Sequence, residues 1–301
     1  MARSCEHPAA LHAGAAPVHA SATVGARFWL LVEHPGPWGP YLDDAPLPDA
    51  IRTLVDRASA LGIRPQLIRR PGRRKAPDAP LHVFVASSAG SDPWLAEAFL
   101  DDPDDLDLGS LVHGVVPGSC ILVAEPMFLV CTHGKRNACC ARLGLPLARF
   151  LDENLPGEVW ETTHVGGDRY AANLVCLPHG LYYGSMSQAA AIAAANAYRH
   201  GEVVLDRFRG RAGIPEPLQA AEHFVRLRTG ELSVGGVAVE SSRSEGDATV
   251  CVVRCTTRRG TSRFRVVVEP AVFMASCGSV CADEISTYRL AELRELTEAH
   301  A

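Results

Sequence analysis

No stretch of this chain approaches the roughly 20 consecutive apolar residues of a membrane-spanning helix. The N-terminal stretch also lacks the sustained apolar core of a signal peptide, because Cys5, Glu6, His7 and Pro8 cut it. A cytoplasmic location is therefore the expectation. A charge excess is missing too: Lys+Arg 29 against Asp+Glu 34 leaves a formal net charge of −5. Phosphate-rich partners select a basic balance, so neither nucleic acid nor a membrane surface is expected as a partner. The CysXxxXxxCys motif of thiol oxidoreductases does not occur. There is no internal repeat in the sequence and no low-complexity tract beyond the first residues. What the chain does have is cysteine, ten in 301 residues. In a reducing compartment such cysteines are metal ligands or redox groups more often than disulfides. Most of the ten should still be inert, since cysteine is a commonly buried small apolar residue.

Residues 1–24 are Ala- and His-rich without periodicity and read as a loose arm. From Arg27 the pattern is regular. FWLLVE (28–33) reads as a buried strand closed by the turn-rich run 34–40. Ile51, Leu54, Val55, Ala58 and Leu61 then fall at helical spacing ahead of Gly62. PQLIRR (65–70) and HVFVAS (82–87) are further strands, giving an α/β region over 25–115. In 116–205, strands at 120–123 and 128–131 lead into a helix that Asn137 caps at Ala138 and that Gly144 and Pro146 interrupt. Strands at 158–161 and 171–177, a hairpin at 177–184 and an Ala-rich helix at 188–199 follow. Strand, helix, strand, strand pair, helix is the order of a thioredoxin-like domain. The rest, 206–301, reads as a small α+β region. It holds a helix over 218–227 closed by Gly230, three strands within 231–269 and a charged terminal helix over 283–300.

Four groups carry the chemistry: Cys131, the vicinal Cys139 and Cys140, His164 and Asp168. Cys131 and Cys140 have eight residues between them, and His164 and Asp168 have three. Gly166 and Gly167 permit a tight loop through positive φ that folds 164 and 168 toward one point. The vicinal cysteines fall in the first turn of a helix, where unpaired N–H groups favour a thiolate, with Lys135 and Arg136 adding positive charge. Thiolates with an imidazole suit iron–sulfur or zinc, and a carboxylate can complete either. Vicinal side chains diverge, so one of Cys139 and Cys140 should bind the ion.

The segments VCTHGKRNACCARLGLPL and VWETTHVGGDRYAANLVCLPHGLYYG resemble the sucrase/ferredoxin-like family of thioredoxin-like [2Fe–2S] proteins. FWLLVEHPGPWG with LIRRPGRR is similar to the N-terminal half of its bacterial members. DRFRGRAGIPEPLQAAEHFVR is similar to the segment they carry after the ferredoxin domain. The resemblance implies a thioredoxin-like ferredoxin domain holding a [2Fe–2S] cluster. In eukaryotic members, two cysteines and the two histidines of a His-x-Gly-Gly-His motif hold it. Cys131, Cys140 and His164 match ligand positions, with Cys139 the vicinal alternative to Cys140. Asp168 stands where the family has its second histidine. Three outcomes follow: Asp168 ligates, Cys139 or another thiol replaces it, or the cluster is lost. The intact glycines and spacing favour Asp168, whose charge should lower the reduction potential relative to a two-His site.

Other pairs compete. Cys277 and Cys281 have a three-residue gap and a flexible Gly278, as in the second ligand pair of all-cysteine thioredoxin-like ferredoxins. Cys251 and Cys255 read as strand, which sets them about 13 Å apart, too far to share an ion. Cys176 reads as core filler, and Cys5 and Cys120 have no evident partner. His133 is either solvated or a hydrogen-bond donor to a sulfur. His179 reads as a surface turn residue. Arg169 can offset negative charge or pair locally. Arg69, Arg70, Arg73, Arg74 and Lys75 read as a solvated loop or as a docking patch for an acidic redox partner. The leading function is one-electron transfer to an unknown redox partner protein. The alternatives are a structural zinc or metal-free protein, and a thiol oxidoreductase using Cys139 or Cys140.

Overall fold

The computed structural model describes residues 17–72, 80–276 and 282–296. Cys5, Arg73, Arg74, Lys75, Cys277 and Cys281 lie outside the described residues. One sheet of ten strands organises the chain up to residue 211. Its first part comprises β1 (Phe28–Glu33), α1 (Asp49–Ala60), β2 (Arg64–Arg69), β3 (Leu81–Ser87) and β4 (Trp94–Leu100). A short helix α2 (Leu108–Val112) and the two-residue β5 (Ile121–Leu122) follow. The second part runs β6 (Met127–Cys131), α3 (Ala138–Asn154), β7 (Val159–Thr162), β8 (Leu174–Leu177), β9 (Leu181–Tyr183) and α4 (Gln188–Arg199), with β10 (Phe208–Arg211) at the far edge.

The strand order is β10-β9-β8-β6-β7-β2-β1-β3-β4-β5. It contains the same unit twice. In the first, β1 is parallel to β2 and antiparallel to β3, which pairs with β4. In the second, β6 is parallel to β7 and antiparallel to β8, which pairs with β9. The halves join edge to edge where β2 meets β7 antiparallel at Ile68↔Thr162 and Arg69↔Glu161. The topology is duplicated although the sequence shows no internal repeat. It escapes the sequence because a buried strand requires only an apolar run, which FWLLVE and MFLVC meet without residue identity.

Helix α1 packs Leu54, Val55 and Ala58 on Leu30, Val32 and Leu67, and α3 packs Leu147, Ala148 and Leu151 on Phe128 and Val130. The opposite face of both halves is a single core of Trp29, Leu31, Phe84, Leu129, Trp160 and Tyr182. Trp29 on β1 and Tyr182 on β9 are five places apart in the sheet, about 24 Å were it flat. Their ring centroids are 6.4 Å apart, so the sheet curls until its halves pack against each other. Ser88 closes the curl, accepting from Trp29 Nε1 at 3.0 Å and donating to the Pro178 carbonyl at 2.5 Å.

Helix α5 (Glu216–Thr229) ends on Gly230 and buries Ala221 and Val225 against a four-stranded antiparallel sheet. The strands are β11 (Val237–Glu245), β12 (Ala248–Thr257), β13 (Gly260–Ser276) and β14 (Ala282–Leu296). The charged helix expected over 283–300 is therefore β14. Its Ala, Glu, Leu and Arg content favours helix locally, but pairing with β13 from Arg263↔Leu296 to Ser276↔Ala282 prevails. Arg265–Glu292 and Arg289–Glu269 ion pairs hold the strands on their polar face. Pro146 does not divide the preceding helix: α3 continues through it. WLAEAFL (94–100) and FRGR (208–211) are strands that the sequence reading passed over, and the expected boundary at 205/206 precedes β10, the strand that completes the large sheet.

Candidate metal centre

Cys131 ends β6, and Cys140 lies in the first turn of α3, whose start Asn137 caps by accepting from the Cys139 N–H at 2.9 Å. Gly144, one turn further, lets the helix press on the strand end; a β-carbon there would collide with the Cys131 carbonyl. That close approach is the reason for a glycine inside a helix. His164 follows β7, which lies parallel to β6, so strand and helix deliver the three side chains to one point. The ligand atoms of Cys131, Cys140 and His164 all lie within 4.8 Å of one another, with both cysteines buried and His164 half-buried. Cys140 Sγ is 4.0 Å from His164 Nδ1. Cys139 lies outside this group and is half-buried.

The electrostatics of the thiols are asymmetric. The Cys131 thiol lies well below its ordinary range because the Cys140 S–H donates to it and His164 adds to the effect, outweighing burial. Cys140 is pushed up for the complementary reason, with burial second. One proton is thus held between two sulfurs, and a thiophilic cation that displaces it would find one thiolate ready and a second within reach.

The loop from His164 to Asp168 is supported on every side. Gly166 and Gly167 have φ of +96° and +70°, the conformation their residue type permits. Thr23 Oγ1 donates to the Val165 carbonyl at 2.8 Å, and Asn173 Nδ2 to that of Gly167 at 2.9 Å. Arg209 on β10 is the residue that sequence reasoning missed. It is 2% exposed, and its guanidinium donates to the Gly166 carbonyl at 3.1 Å and to Asn173 Oδ1 at 2.8 Å. Its Nε and remaining amine bond Ser21. A β-carbon at Gly167 would collide with that guanidinium. Burial lowers Arg209 to about 10, and the Cys131 and Asp168 charges oppose the shift, which marks it as a buried cation behind the thiols. The FRGR segment carried no spacing that could have pointed to it.

Asp168 lies outside the three-ligand group, with Oδ2 accepting from Asn137 Nδ2 at 2.6 Å. Asn137 thus ties the start of α3 to the glycine loop. The His133 ring is neither solvated nor bound to a sulfur, although the His133 backbone N–H donates to the Cys131 sulfur. Its Nε2 donates to the Gly39 carbonyl at 2.6 Å, and its Nδ1 accepts from the His164 N–H at 3.1 Å, so it fixes the His164 backbone to the first half. His179 is not a surface residue: it is half-buried, 2.7 Å from the Tyr198 hydroxyl, and burial lowers it to about 4. Cys176, Cys251 and Cys255 are buried among apolar side chains, the last two on β12. Arg69 pairs with Glu161 at 2.6 Å and stacks 4.1 Å over Trp38, and Arg70 stacks 3.8 Å over Trp160. These two arginines are therefore structural and do not form a free docking patch.

Residues 95–210 match the model of the sucrase/ferredoxin-like family. The matched span holds all three grouped side chains together with Asp168, Asn173 and Arg209. Altered inheritance of mitochondria protein 32 from Meyerozyma guilliermondii is 29% identical over 99 residues, which are 29% of this chain and 35% of that protein. The chain thus spans about a third of the length of this curated relative. No solved structure matches. No helix among the described residues is long and apolar enough to cross a membrane.

Proposed function

We propose that this protein is a one-electron carrier whose second half, a thioredoxin-like ferredoxin domain, holds a [2Fe–2S] cluster through Cys131, Cys140 and His164. The observation that carries the reading is the convergence of two buried thiols and one imidazole within 4.8 Å, inside the span similar to sucrase/ferredoxin-like proteins. The donor set fits the group: soft sulfurs and a borderline nitrogen, with one thiolate already favoured. We assign the fourth position to Asp168, on the same glycine loop.

When bound, the cluster supplies a store for one electron. The chain's own residues do the rest. Cys131 and Cys140 would hold the cluster as thiolates, the proton they share passing to solvent, and Arg209 would offset part of the resulting negative charge from behind. Asn137, Thr23 and Asn173 hold the loop so that His164 and Asp168 stay aimed. His133, anchored to Gly39, fixes the His164 backbone. The half-buried His164 is the outermost of the three grouped ligands and the exit toward a redox partner protein, in the cytoplasm on our reading.

Anaerobic purification followed by iron and sulfide analysis and EPR tests the proposal. The expected result is a red-brown protein with about two irons and two sulfides per chain; a colourless zinc protein contradicts it. Potentiometry tests the fourth ligand, because exchanging carboxylate for imidazole in Asp168→His should raise the potential. An unchanged potential removes Asp168 from the ligand set.

A further inference from the structure

Beside His164 lies a cleft of about 330 Å³ whose walls are Tyr41, Arg64, Gln66, Arg136, His133 and His164. Its volume is that of a small-molecule site. Electron carriage as proposed uses His164, whose backbone His133 fixes, and needs none of the other walls.

Two guanidinium groups face this space without a carboxylate. Arg64 donates to the His164 carbonyl at 3.2 Å, but its Nε is buried with no hydrogen-bond partner. Arg136 stacks 4.5 Å over the Tyr41 ring and is exposed. Among the described residues neither forms an ion pair, whereas Arg57, Arg69, Arg199 and Arg211 each hold a carboxylate at 3.2 Å or less. Asp43 adds one carboxylate, on an exposed stretch of the wall. The Arg64 guanidinium is thus not fully bonded within the chain. The remaining polar groups of the floor are already committed: Gln66 Oε1 accepts from Thr163 at 2.8 Å, and its amide faces the His164 carbonyl at 3.4 Å. Apart from the exposed Asp43 carboxylate, which pairs with neither arginine among the described residues, the cleft therefore offers cationic donors without matching acceptors, the complement of an oxyanion.

We propose that this cleft binds a small molecule bearing a carboxylate or phosphate, held between Arg64 and Arg136 with the Tyr41 ring as its outer wall, directly beside His164. The enclosing stretch Pro40–Asp43 comes from the first half, so the site exists only because the two halves are joined. The proposal goes beyond the electron-carrier reading and does not depend on which metal fills the centre.

Isothermal titration of the full chain, as purified and again after chelation, with inorganic phosphate and separately with malonate, tests it. The expected result is saturable binding of at least one probe at a single site, in both preparations. The probe that binds distinguishes the phosphate source from the carboxylate source. Arg64→Gln and Arg136→Gln should each weaken binding about tenfold, whereas the exposed Arg149→Gln on α3 should leave it unchanged. Arg136 is exposed, so its variant remains informative if Arg64→Gln does not fold. Absence of saturable binding by both probes overturns the proposal, as does binding that Arg136→Gln leaves intact. Anion binding by a chain that fails to take up iron would overturn the electron-carrier reading alone.

Discussion

The two halves of the large sheet share a topology and differ in what stands at the same place in it. The first strand of the second half ends in Cys131, next to a helix that opens on Cys140. The first strand of the first half ends in Glu33, beside a loop that runs on to α1 at Asp49. Glu33 does not face a metal-ligand group. Its carboxylate is 3.1 Å from His82 Nδ1, and Glu97 stands 3.2 Å from the other ring nitrogen. The first half has instead become the wall of the second. Its loop supplies Gly39 to anchor His133, and its Arg69 pairs with the buried Glu161, which also accepts from Thr132 at 2.9 Å. One βαβββ unit thus holds the Cys131, Cys140 and His164 group while its twin encloses and aligns it. Chemistry here depends on a few side chains at a strand end, not on the topology that carries them.

The largest expected effect falls on metal content. Cys131→Ser or Cys140→Ser should lower bound metal about tenfold or more, whereas Glu33→Gln at the matching place should leave it unchanged; elemental analysis of the three purified variants checks this. Equal loss in all three would mean that the halves do not divide their roles.

Next comes the glycine that follows the second parallel strand in each half. Gly167→Ala forces a side chain into φ +70° and against Arg209, and should cost about 2–4 kcal/mol. Gly72→Ala, at φ +66° with nothing within 4 Å of the added carbon, should cost only about 1 kcal/mol. Urea unfolding of both variants measures the difference, and equal costs would remove Arg209 from its buttressing role.

The seam is weaker. Arg69→Met leaves Glu161 buried with only the Thr132 hydroxyl, and should cost about 1–3 kcal/mol. A double-mutant cycle with Glu161→Gln should recover most of that as coupling. Additive effects would show that the ion pair does not join the halves.

The smallest effect is a pH dependence. Burial lowers His179 and His223 to about 4, so the unfolded chain binds more protons than the folded one between about pH 6.5 and 4. Stability should be intact above that window and fall as pH drops through it. His179→Gln should flatten the decline, and a curve identical to that of the unaltered chain would place His179 among solvated residues.

Much of this was legible in the sequence. Apolar runs located β1, β2, β3 and β6, a hairpin β9, helical spacing α1 and an Ala-rich stretch α4; of the five side chains singled out, the fold draws Cys131, Cys140 and His164 to within 4.8 Å and leaves Cys139 and Asp168 outside that group. What was not legible depends on distant partners. WLAEAFL mixes strand and helix formers, and it becomes β4 because β3 is there to pair with it. ADEISTYRLAELREL has helical composition and becomes β14 beside β13. Arg209 is separated by 43 residues from the loop it supports, and no periodicity links them. His133 and Gly39 meet only across the seam between the halves. Local chemistry reads from local spacing, whereas support from another element becomes visible only in the folded chain.

The central claim is that Cys131, Cys140 and His164 grip one iron–sulfur centre in the second half. Pulsed EPR on the reduced protein, grown with ¹⁵N-labelled histidine, tests it most directly. One strongly coupled imidazole nitrogen is predicted, abolished in His164→Ala and unaffected in His82→Gln. A cluster signal without histidine coupling, or a coupling that survives His164→Ala, would contradict it.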